Sequence, residues 1–167
     1  MPCLEGRRIR GKAVPCDGKE KVVAYWLFKS EPNTWGWDDQ MKRGAKGEHW
    51  DGVRNYQANN NMKAMKIGDL GFFYHSVDEK SVVGIVRVIK EHYADHTDPK
   101  ERFGMVDIEA VEPLPKPVTL QDVKDTPELT DMVLVNNSRL SVQPVTADEW
   151  KRICKMGDLK KIPTAKN

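Results

Sequence analysis

The chain has 167 residues, the length of one ordinary domain, and 39% of them are hydrophobic and 31% charged. These proportions exclude an intrinsically disordered chain and a fibrous protein. Lys and Arg number 27 against 25 Asp and Glu, and residues 1–22 take six of the basic and three of the acidic side chains, leaving 21 basic against 22 acidic residues in the remainder. The body of the chain therefore lacks the dense positive charge that non-specific duplex binding requires.

Residues 1–22 mix glycine, proline and charged side chains without a helical or strand period. We predict a flexible leader there, and a short basic arm that contacts phosphates is the alternative. One domain is then expected over residues 23–157, followed by a basic C-terminal tail over residues 158–167.

The first predicted strand covers residues 22–29, VVAYWLFK, and ends before Pro32, because a proline and the residue before it interrupt regular pairing. Thr34 is predicted to cap a helix over residues 35–43 that Gly44 closes. After a turn at Asp51-Gly52, Asn55 is predicted to cap a second helix over residues 56–65.

Two strands are predicted next, over residues 70–76 and 81–93, with a connection short enough for a hairpin and with Gly84 marking a bulge. A fourth strand over residues 104–111 is expected to end where three prolines at alternate positions begin with Pro113. The chain is predicted to leave the sheet at that point.

Short helical turns are predicted over residues 119–124 and 127–131, and a fifth strand over residues 140–143. The Thr146 and Glu149 capping box then opens a helix to about residue 156. Strands joined by hairpins and short helices predict a small mixed barrel with helices over its openings, not a doubly wound parallel sheet.

The cysteines, Cys3, Cys16 and Cys154, are odd in number and too scattered for a disulfide framework or a zinc site, which favours a reducing compartment. No window approaches the ~18 consecutive apolar residues of a membrane helix, and residues 1–20 lack the apolar core of a secretory signal. We therefore expect an intracellular protein without a membrane partner.

The most unusual stretch is residues 49–61, HWDGVRNYQANNN, which combines Trp50, Arg54 and Tyr56 with several amide side chains. Aromatic faces, a guanidinium group and amides are the groups that hold a planar heterocycle by stacking and by hydrogen bonds to its edge. The alternative is that Trp50 and Tyr56 belong to the core and that the asparagines are helix caps. Trp35, Trp37 and Trp150 are predicted to pack under helices, with Trp35 and Trp37 the more exposed.

A hydrolase-type triad of Ser30, Glu31 and either His49 or His75 is the enzymatic alternative. The sequence has neither a nucleophile elbow nor a cluster of oxyanion glycines, which favours a non-catalytic protein. In a strand, Tyr74 and Ser76 share one face while His75 takes the other, and a structural hydrogen bond is the favoured role for that histidine.

His92 and His96 flank Asp95 and Asp98, the residue types that bind a divalent ion. Four-residue spacing aligns ligands only on a helix, and this segment follows a long strand, so a solvated loop is predicted instead of a metal site. Near the C-terminus, Arg139 and Ser141 are placed on one face of the fifth strand, facing either a pocket rim or solvent.

Five motifs occur in a fixed order along the chain: WLFKSEP at residues 26–32, WDGVRNYQA at 50–58, MKIGD at 65–69, FYHS at 73–76 and RLSV at 139–142. In these motifs, over about residues 24–153, the sequence resembles the EVE domain. The EVE domain is a member of the PUA-like superfamily, which also contains the YTH and ASCH domains.

The resemblance implies an α+β, PUA-like fold, a small and partly open mixed β-barrel of about five or six strands with short helices covering its openings. It also implies a non-enzymatic module that recognises a modified nucleobase of DNA or RNA in a pocket at the barrel rim, without a cofactor or a metal. The pocket residues that it implies are Lys29, Ser30, Trp50, Val53, Arg54, Asn55, Tyr74, His75 and Ser76.

We add Arg139 and Ser141 to this pocket set and expect a monomer, cytoplasmic in a bacterium and nuclear in a eukaryote. A hydrolase acting on a nucleic-acid or acyl substrate and a protein-interaction module remain the alternatives. Trp50 is expected to form a wall of the pocket and not to be a fully buried core residue, because the neighbouring Asp51-Gly52 turn favours the surface.

One position departs from the family pattern. Where the family commonly has the sequence QARN, this chain has Gln57-Ala58-Asn59-Asn60, so Asn59 stands where a charged side chain is often present. A phosphate contact made through that arginine is not expected here.

Overall fold

The computed structural model describes residues 25–77 and 79–163, whose centre is one mixed sheet. Its strands are β1 (Tyr25–Ser30), β2 (Glu48–His49), β3 (Leu70–His75), β4 (Ser81–Ala94), β5 (Gly104–Thr119) and β6 (Val142–Pro144). They lie in the order β2-β5-β4-β3-β1-β6, with β1 and β3 parallel and every other neighbouring pair antiparallel. The edge strands β2 and β6 are not paired with each other, so the sheet is not closed.

Short helices connect these strands: α1 (Trp37–Arg43), α2 (Tyr56–Ala64), α3 (Leu120–Lys124), α4 (Val133–Asn136) and α5 (Ala147–Met156), with 3₁₀ turns at Gly44–Lys46 and Pro127–Leu129. The predicted caps of α2 and α5 are confirmed, since the side chains of Asn55 and Thr146 accept hydrogen bonds from the amides of Ala58 and Glu149. No helix in the described ranges is long and apolar enough to cross a membrane.

The predicted cap of α1 is wrong. Gly36, not Thr34, is the N-cap residue, and its amide donates to Asp39 Oδ2 at 2.9 Å. The amide of Thr34 donates instead to the carbonyl of Glu31, which places residues 31–35 in a tight turn before the helix. Tertiary contacts of this turn, described below, override the local capping preference of threonine.

Side chains alternate between the two faces of the sheet along each strand, and both faces are covered by a core cluster. Leu27 of β1 and Phe72 and Tyr74 of β3 lie in a core cluster around the fully buried Trp150 of α5. On the other face, a second core cluster includes Trp26, Phe28, Phe73, Trp37 and Trp50. This alternation confirms the prediction that Tyr74 and His75 point to opposite faces, since His75 lies edge-on to Phe73 at 5.7 Å between ring centroids.

Strand β5 was predicted to end at the prolines, but it continues to Thr119. Its pairing with β4 resumes beyond them, at Val118 with Val82 and at Thr119 with Ser81. Strand β2 pairs with β5 only at Asp107 and Ile108, so in the described part of the chain the prolines lie on an edge without a strand on that side. Proline is tolerated on such an edge because its missing N–H removes no sheet hydrogen bond.

The last strand also differs from its expected bounds. Strand β6 begins at Val142, so Arg139 and Ser141 precede the strand and do not share a face of it. The predicted leader and the start of the first predicted strand lie outside the described residues. Of the predicted C-terminal tail, Leu159 and Ile162 pack against the cluster around Trp150, whose indole N–H donates to the carbonyl of Pro163 at 2.8 Å.

Gly84 marks a shift in the β4–β5 register, as predicted, and it also permits a close approach of Trp37. A Cβ atom at this position would lie 2.4 Å from the Trp37 ring. We expect Gly84→Ala to lower the free energy of unfolding by about 1–3 kcal/mol, the cost of overpacking a core. Urea unfolding measures this value. The control is Gly44→Ala, where an added Cβ meets nothing within 4 Å but φ is +56°, so that this variant reports backbone strain without overpacking.

Candidate functional site

A cavity of about 510 Å³ opens at the end of β1, beside β2 and the loop that follows β2. Ligand sites in proteins commonly have volumes of about 300–1,000 Å³, so this cavity is large enough for a small organic group. Two chain segments and one separate residue form its lining: residues Lys29, Ser30, Glu31, Thr34 and Trp35, residues Glu48, His49, Trp50, Asp51, Gly52, Val53 and Arg54, and Ser141.

The cavity brings together six of the eleven predicted site residues: Lys29, Ser30, Trp50, Val53, Arg54 and Ser141. The other five, Asn55, Tyr74, His75, Ser76 and Arg139, are not among its lining residues. Sequence reasoning did not place Trp35, Glu31, Glu48 or His49 at a binding site, although Glu31 and His49 appeared in the triad alternative.

Trp50 belongs both to the core and to the cavity lining. Its surface is 8% exposed, so the ring that was expected to form a wall of the pocket is also a member of a core cluster. Its ring lies edge-on to Phe28 at 5.3 Å and to Phe73 at 5.7 Å between centroids, and its amide donates to the carbonyl of Val106 at 2.7 Å. Trp50 therefore presents a rigid aromatic surface to the cavity, supported from behind by two phenylalanines.

Trp35 contributes the second indole of the lining, and it is half-buried. Its indole N–H donates to Oε1 of the buried Gln40 at 3.0 Å, and its carbonyl accepts from the Ser30 hydroxyl at 2.5 Å. Gln40 is in turn fixed by donating to the carbonyl of Ile108 at 3.1 Å. These contacts hold the turn over residues 31–35 and explain why it does not start the helix at Thr34.

Asp95 positions the loop on the opposite side of the cavity. Its Oδ2 accepts from the amide of Gly52 at 2.8 Å and from Nη1 of Arg54 at 3.1 Å, while its Oδ1 accepts from the amide and hydroxyl of Thr97. Burial alone would raise the pKa of the Asp95 carboxyl, but the hydrogen bonds from Thr97, Gly52 and Arg54 outweigh it and lower the pKa to about 2. The carboxylate is therefore charged at neutral pH and fixes the loop from beneath.

A solvated loop was predicted around His92, Asp95, His96 and Asp98, and this prediction is wrong for the two aspartates. Asp95 is 2% exposed and Asp98 is 5% exposed. Oδ2 of Asp98 accepts from the amides of Arg102 and Phe103 at 2.7 and 2.8 Å. Both carboxylates turn inward because they satisfy backbone amides that the loop would otherwise bury unpaired.

Two of the predicted basic residues, Lys29 and Arg54, line the cavity, and both are engaged by the protein. Arg54 is bound to Asp95, its Nη2 donates to the Thr97 hydroxyl at 3.1 Å, and its guanidinium lies 5.8 Å from the centroid of Phe103. The Lys29 ammonium donates to the Ser138 carbonyl and lies 5.7 Å from the centroid of Tyr74, and burial lowers the pKa of Lys29. Both side chains therefore shape the site more than they supply unpaired positive charge.

His75 and Tyr74 make structural contacts and do not line the cavity. His75 Nε2 accepts from the amide of Trp37 at 3.0 Å, and its Nδ1 lies 2.8 Å from Glu79 Oε1, so the histidine secures the start of α1. Tyr74 faces the core cluster around Trp150, on the other side of the sheet from Trp50, and burial raises its pKa to about 12. A structural role for His75, favoured from the sequence, is confirmed.

The remaining predicted residues also have local structural contacts. Asn55 caps α2, and the amide of Ser76 donates to the carbonyl of Ser30 at 2.9 Å, which ties the ends of β3 and β1 together. Ser141 reaches the cavity because its carbonyl accepts from the amide of Lys29 at 2.9 Å. Arg139 is exposed on the turn before β6.

Asn59, the position that departs from the family pattern, is buried. Its Oδ1 accepts from the amide of Gly104 at 3.0 Å and lies 3.0 Å from Nε2 of His92, so it joins α2 to β4 and β5. Asn59 therefore has a structural role in this chain, away from the cavity.

The EVE domain family matches residues 24–156, which includes all six strands and the whole cavity lining. The chain belongs to the EVE domain family. It is similar to thymocyte nuclear protein 1 of Gallus gallus, at 35% identity over 84% of this chain and 72% of that protein. The resemblance stated from the five motifs is thus confirmed.

Solved structures of similar proteins share the fold. A protein from Agrobacterium tumefaciens is 52% identical and covers 86% of this chain and 99% of that chain, with a TM-score of 0.82. The human THYN1 protein, in a crystal structure with DNA containing 5-methylcytosine, is 31% identical and covers 82% of this chain and 99% of that chain, with a TM-score of 0.74. The predicted α+β, PUA-like fold with a partly open sheet is confirmed.

Proposed function

We propose that this EVE domain binds a modified nucleobase of DNA or RNA in the cavity between β1, β2 and the following loop, and that it does so without catalysing a reaction. The observation that carries the proposal is the pair of indoles, Trp35 and Trp50, in the lining of a cavity of about 510 Å³. The human relative found with 5-methylcytosine DNA supports the choice of ligand class.

An extruded base suits such a cavity because each aromatic contact to a base is worth about 1–3 kcal/mol. Trp50 is already fixed by Phe28 and Phe73, so its surface is ordered before the ligand arrives. Preorganisation of this kind increases affinity because less conformational freedom is lost on binding.

The polar part of the lining favours the hydrogen-bond donors of a base. Carboxylates of Glu31, Glu48 and Asp51 line the cavity, and they accept hydrogen bonds when ionised. The exocyclic amino group of cytosine or adenine is a donor. A methyl group on the base adds apolar contact worth about 1–3 kcal/mol at most, so discrimination between modified and unmodified bases is expected to be modest.

Little in the geometry favours the hydrolase alternative. The Ser30 hydroxyl donates to the Trp35 carbonyl, and both ring nitrogens of His75 are engaged by Trp37 and Glu79. Cys154 is buried, and burial raises the pKa of its thiol to about 12, which keeps it protonated and unreactive. Neither hydroxyl nor thiol is thus activated in the way that nucleophilic catalysis requires.

The protein-interaction alternative predicts a contiguous apolar surface. The exposed large apolar residues of the described chain are Met41, Tyr56, Ile67 and Val77, which come from four different segments. Tyr56 also packs on Phe103 at 4.8 Å between ring centroids. This distribution gives no support to the interaction alternative.

A panel of oligonucleotides that carry 5-methylcytosine, N6-methyladenine or the unmodified bases tests the proposal by calorimetry. We expect at least one modified oligonucleotide to bind more tightly than its unmodified form by a factor of about 5 to 150, which corresponds to about 1–3 kcal/mol. Failure of every oligonucleotide to bind more tightly than about 1 mM, a binding free energy of about −4 kcal/mol, would contradict it.

Trp35→Ala tests the placement of the ligand. We expect it to weaken binding of the tightest oligonucleotide by a factor of about 5 to 150, the loss of one stacking contact. The matched control is Tyr56→Ala, which removes a 59% exposed aromatic side chain outside the cavity and should leave affinity unchanged. Equal losses in both variants, measured on protein that remains folded by circular dichroism, would place the ligand elsewhere.

A further inference from the structure

Three metal-ligating side chains meet at the wall of the cavity. Nδ1 or Nε2 atoms of His49 and His96 and a carboxylate oxygen of Asp51 all lie within 4.8 Å of one another. His49 Nε2 is 3.4 Å from Asp51 Oδ2, and the two imidazole rings lie edge to face with centroids 5.1 Å apart. His49 and Asp51 line the cavity, so this trio belongs to its mouth.

We propose that His49, Asp51 and His96 bind one divalent transition-metal ion of the zinc class. Two imidazole nitrogens and one carboxylate oxygen are a ligand set that such ions prefer, and three protein ligands leave coordination positions open to water or to a ligand atom. This ligand set differs from the group of His92, Asp95, His96 and Asp98, for which the sequence favours a solvated loop over a metal site. His92 is not part of the new set, since its ring is turned to Asn59.

The backbone that carries the three ligands is fixed before any ion binds. His49 is paired with Asp107 of β5, and Asp51 precedes Gly52, whose amide is held by Asp95. His96 follows Asp95 directly in the chain. The same buried carboxylate therefore joins the segment of His49 and Asp51 to the segment of His96.

The side chains need only a small adjustment to coordinate an ion. Ligand bonds of about 2.0–2.2 Å in a tetrahedral site place the ligand atoms about 3.3–3.6 Å apart. The His49–Asp51 distance of 3.4 Å is already in this range, and all three ligand atoms lie within 4.8 Å of one another, so the difference to be closed is small. The side chains of His49 and Asp51 are 37% and 38% exposed, and His96 is exposed. Exposed side chains can rotate through this difference without repacking the core.

Glu48 gives the site additional negative charge. One of its carboxylate oxygens lies 3.5 Å from His49 Nδ1 and 3.5 Å from Arg43 Nη2. A carboxylate beside a ligating imidazole helps to orient the ring. We infer that Glu48 orients His49 so that Nε2 is directed to the ion beside Asp51.

Calorimetric titration of the full chain with ZnCl₂ tests the proposal, and Co²⁺ absorption provides a spectroscopic readout of the coordination sphere. All proteins carry Cys3→Ser and Cys16→Ser, so that thiols outside the described residues do not compete, and Cys154 is buried. We expect one Zn²⁺ per chain, and His96→Ala, a change on an exposed loop, should weaken binding at least about tenfold.

His92→Gln is the matched control, because it removes a histidine at the end of β4, four residues before His96, that is bonded to Asn59 and is not part of the trio. It should keep the affinity for Zn²⁺ within about threefold of the parent, and His49→Ala should behave like His96→Ala. Unchanged affinity in the His49→Ala, His96→Ala double variant, or no binding by the parent tighter than about 1 mM, would overturn the proposal.

Discussion

Replacing Asp95 with alanine is expected to lower the free energy of unfolding by about 3–5 kcal/mol, the cost of leaving the partners of a buried charge unpaired. The carboxylate accepts four hydrogen bonds, from Gly52, from Arg54 and twice from Thr97. All four donors lose their acceptor at once in Asp95→Ala. Urea unfolding followed by circular dichroism measures the change.

The matched variant is Asp95→Asn, which keeps the shape of the side chain but replaces one acceptor oxygen with an amide donor. It should destabilise less than Asp95→Ala and still by about 1–3 kcal/mol, because one pair of donors faces an NH₂ group. Asp131→Ala, at an exposed aspartate, should change the stability by less than about 0.5 kcal/mol. A loss below about 1 kcal/mol for Asp95→Ala would show that the loop does not depend on this carboxylate.

Replacing Trp50 with alanine is expected to cost about 3–5 kcal/mol of unfolding free energy and also to weaken ligand binding. The ring is 8% exposed and packs against Phe28 and Phe73, so truncation leaves a cavity that these fixed neighbours cannot fill. The protein that stays folded loses one stacking surface, which corresponds to a factor of about 5 to 150 in affinity. Melting temperature and affinity are measured on the same preparation.

Trp35→Ala provides the comparison, since Trp35 is half-buried and lines the same cavity. It should lose less stability than Trp50→Ala and a similar factor in affinity. If Trp50→Ala retained the stability of the parent, the ring would not be the core contact that its burial indicates.

Five of the six strands named here could be predicted from the sequence because their signal is local, whereas the two-residue β2 has no such signal. The alternation of Trp26, Leu27 and Phe28 is the pattern of a strand buried on two faces, and the structure places these residues alternately in the two core clusters. The continuation of β5 past Pro113 was not predictable from local pattern. It depends on the lack of a partner strand on that edge, which is a property of the sheet and not of the segment.

Half of the site could be predicted for a similar reason. Trp50, Val53 and Arg54 lie in one short motif. The sequence predicts only a packing role for Trp35, because its place in the lining depends on the turn held by Ser30 and Gln40. The sequence predicts a solvated loop around Asp95, because its bonds to Gly52 and Arg54 span more than 40 residues of sequence. Contacts between residues so far apart in the sequence produce no local periodicity that could predict them.

The indole N–H signals of the protein provide the most direct test of nucleobase entry into the cavity. The chain has five tryptophans, and Trp35 and Trp50 line the cavity while Trp150 lies in the core cluster on the opposite face of the sheet. In a two-dimensional ¹H–¹⁵N spectrum titrated with a 5-methylcytosine oligonucleotide, we expect the signals of Trp35 and Trp50 to shift with saturation and that of Trp150 to stay in place. Saturable binding that leaves the Trp35 and Trp50 signals unshifted would contradict the proposed site.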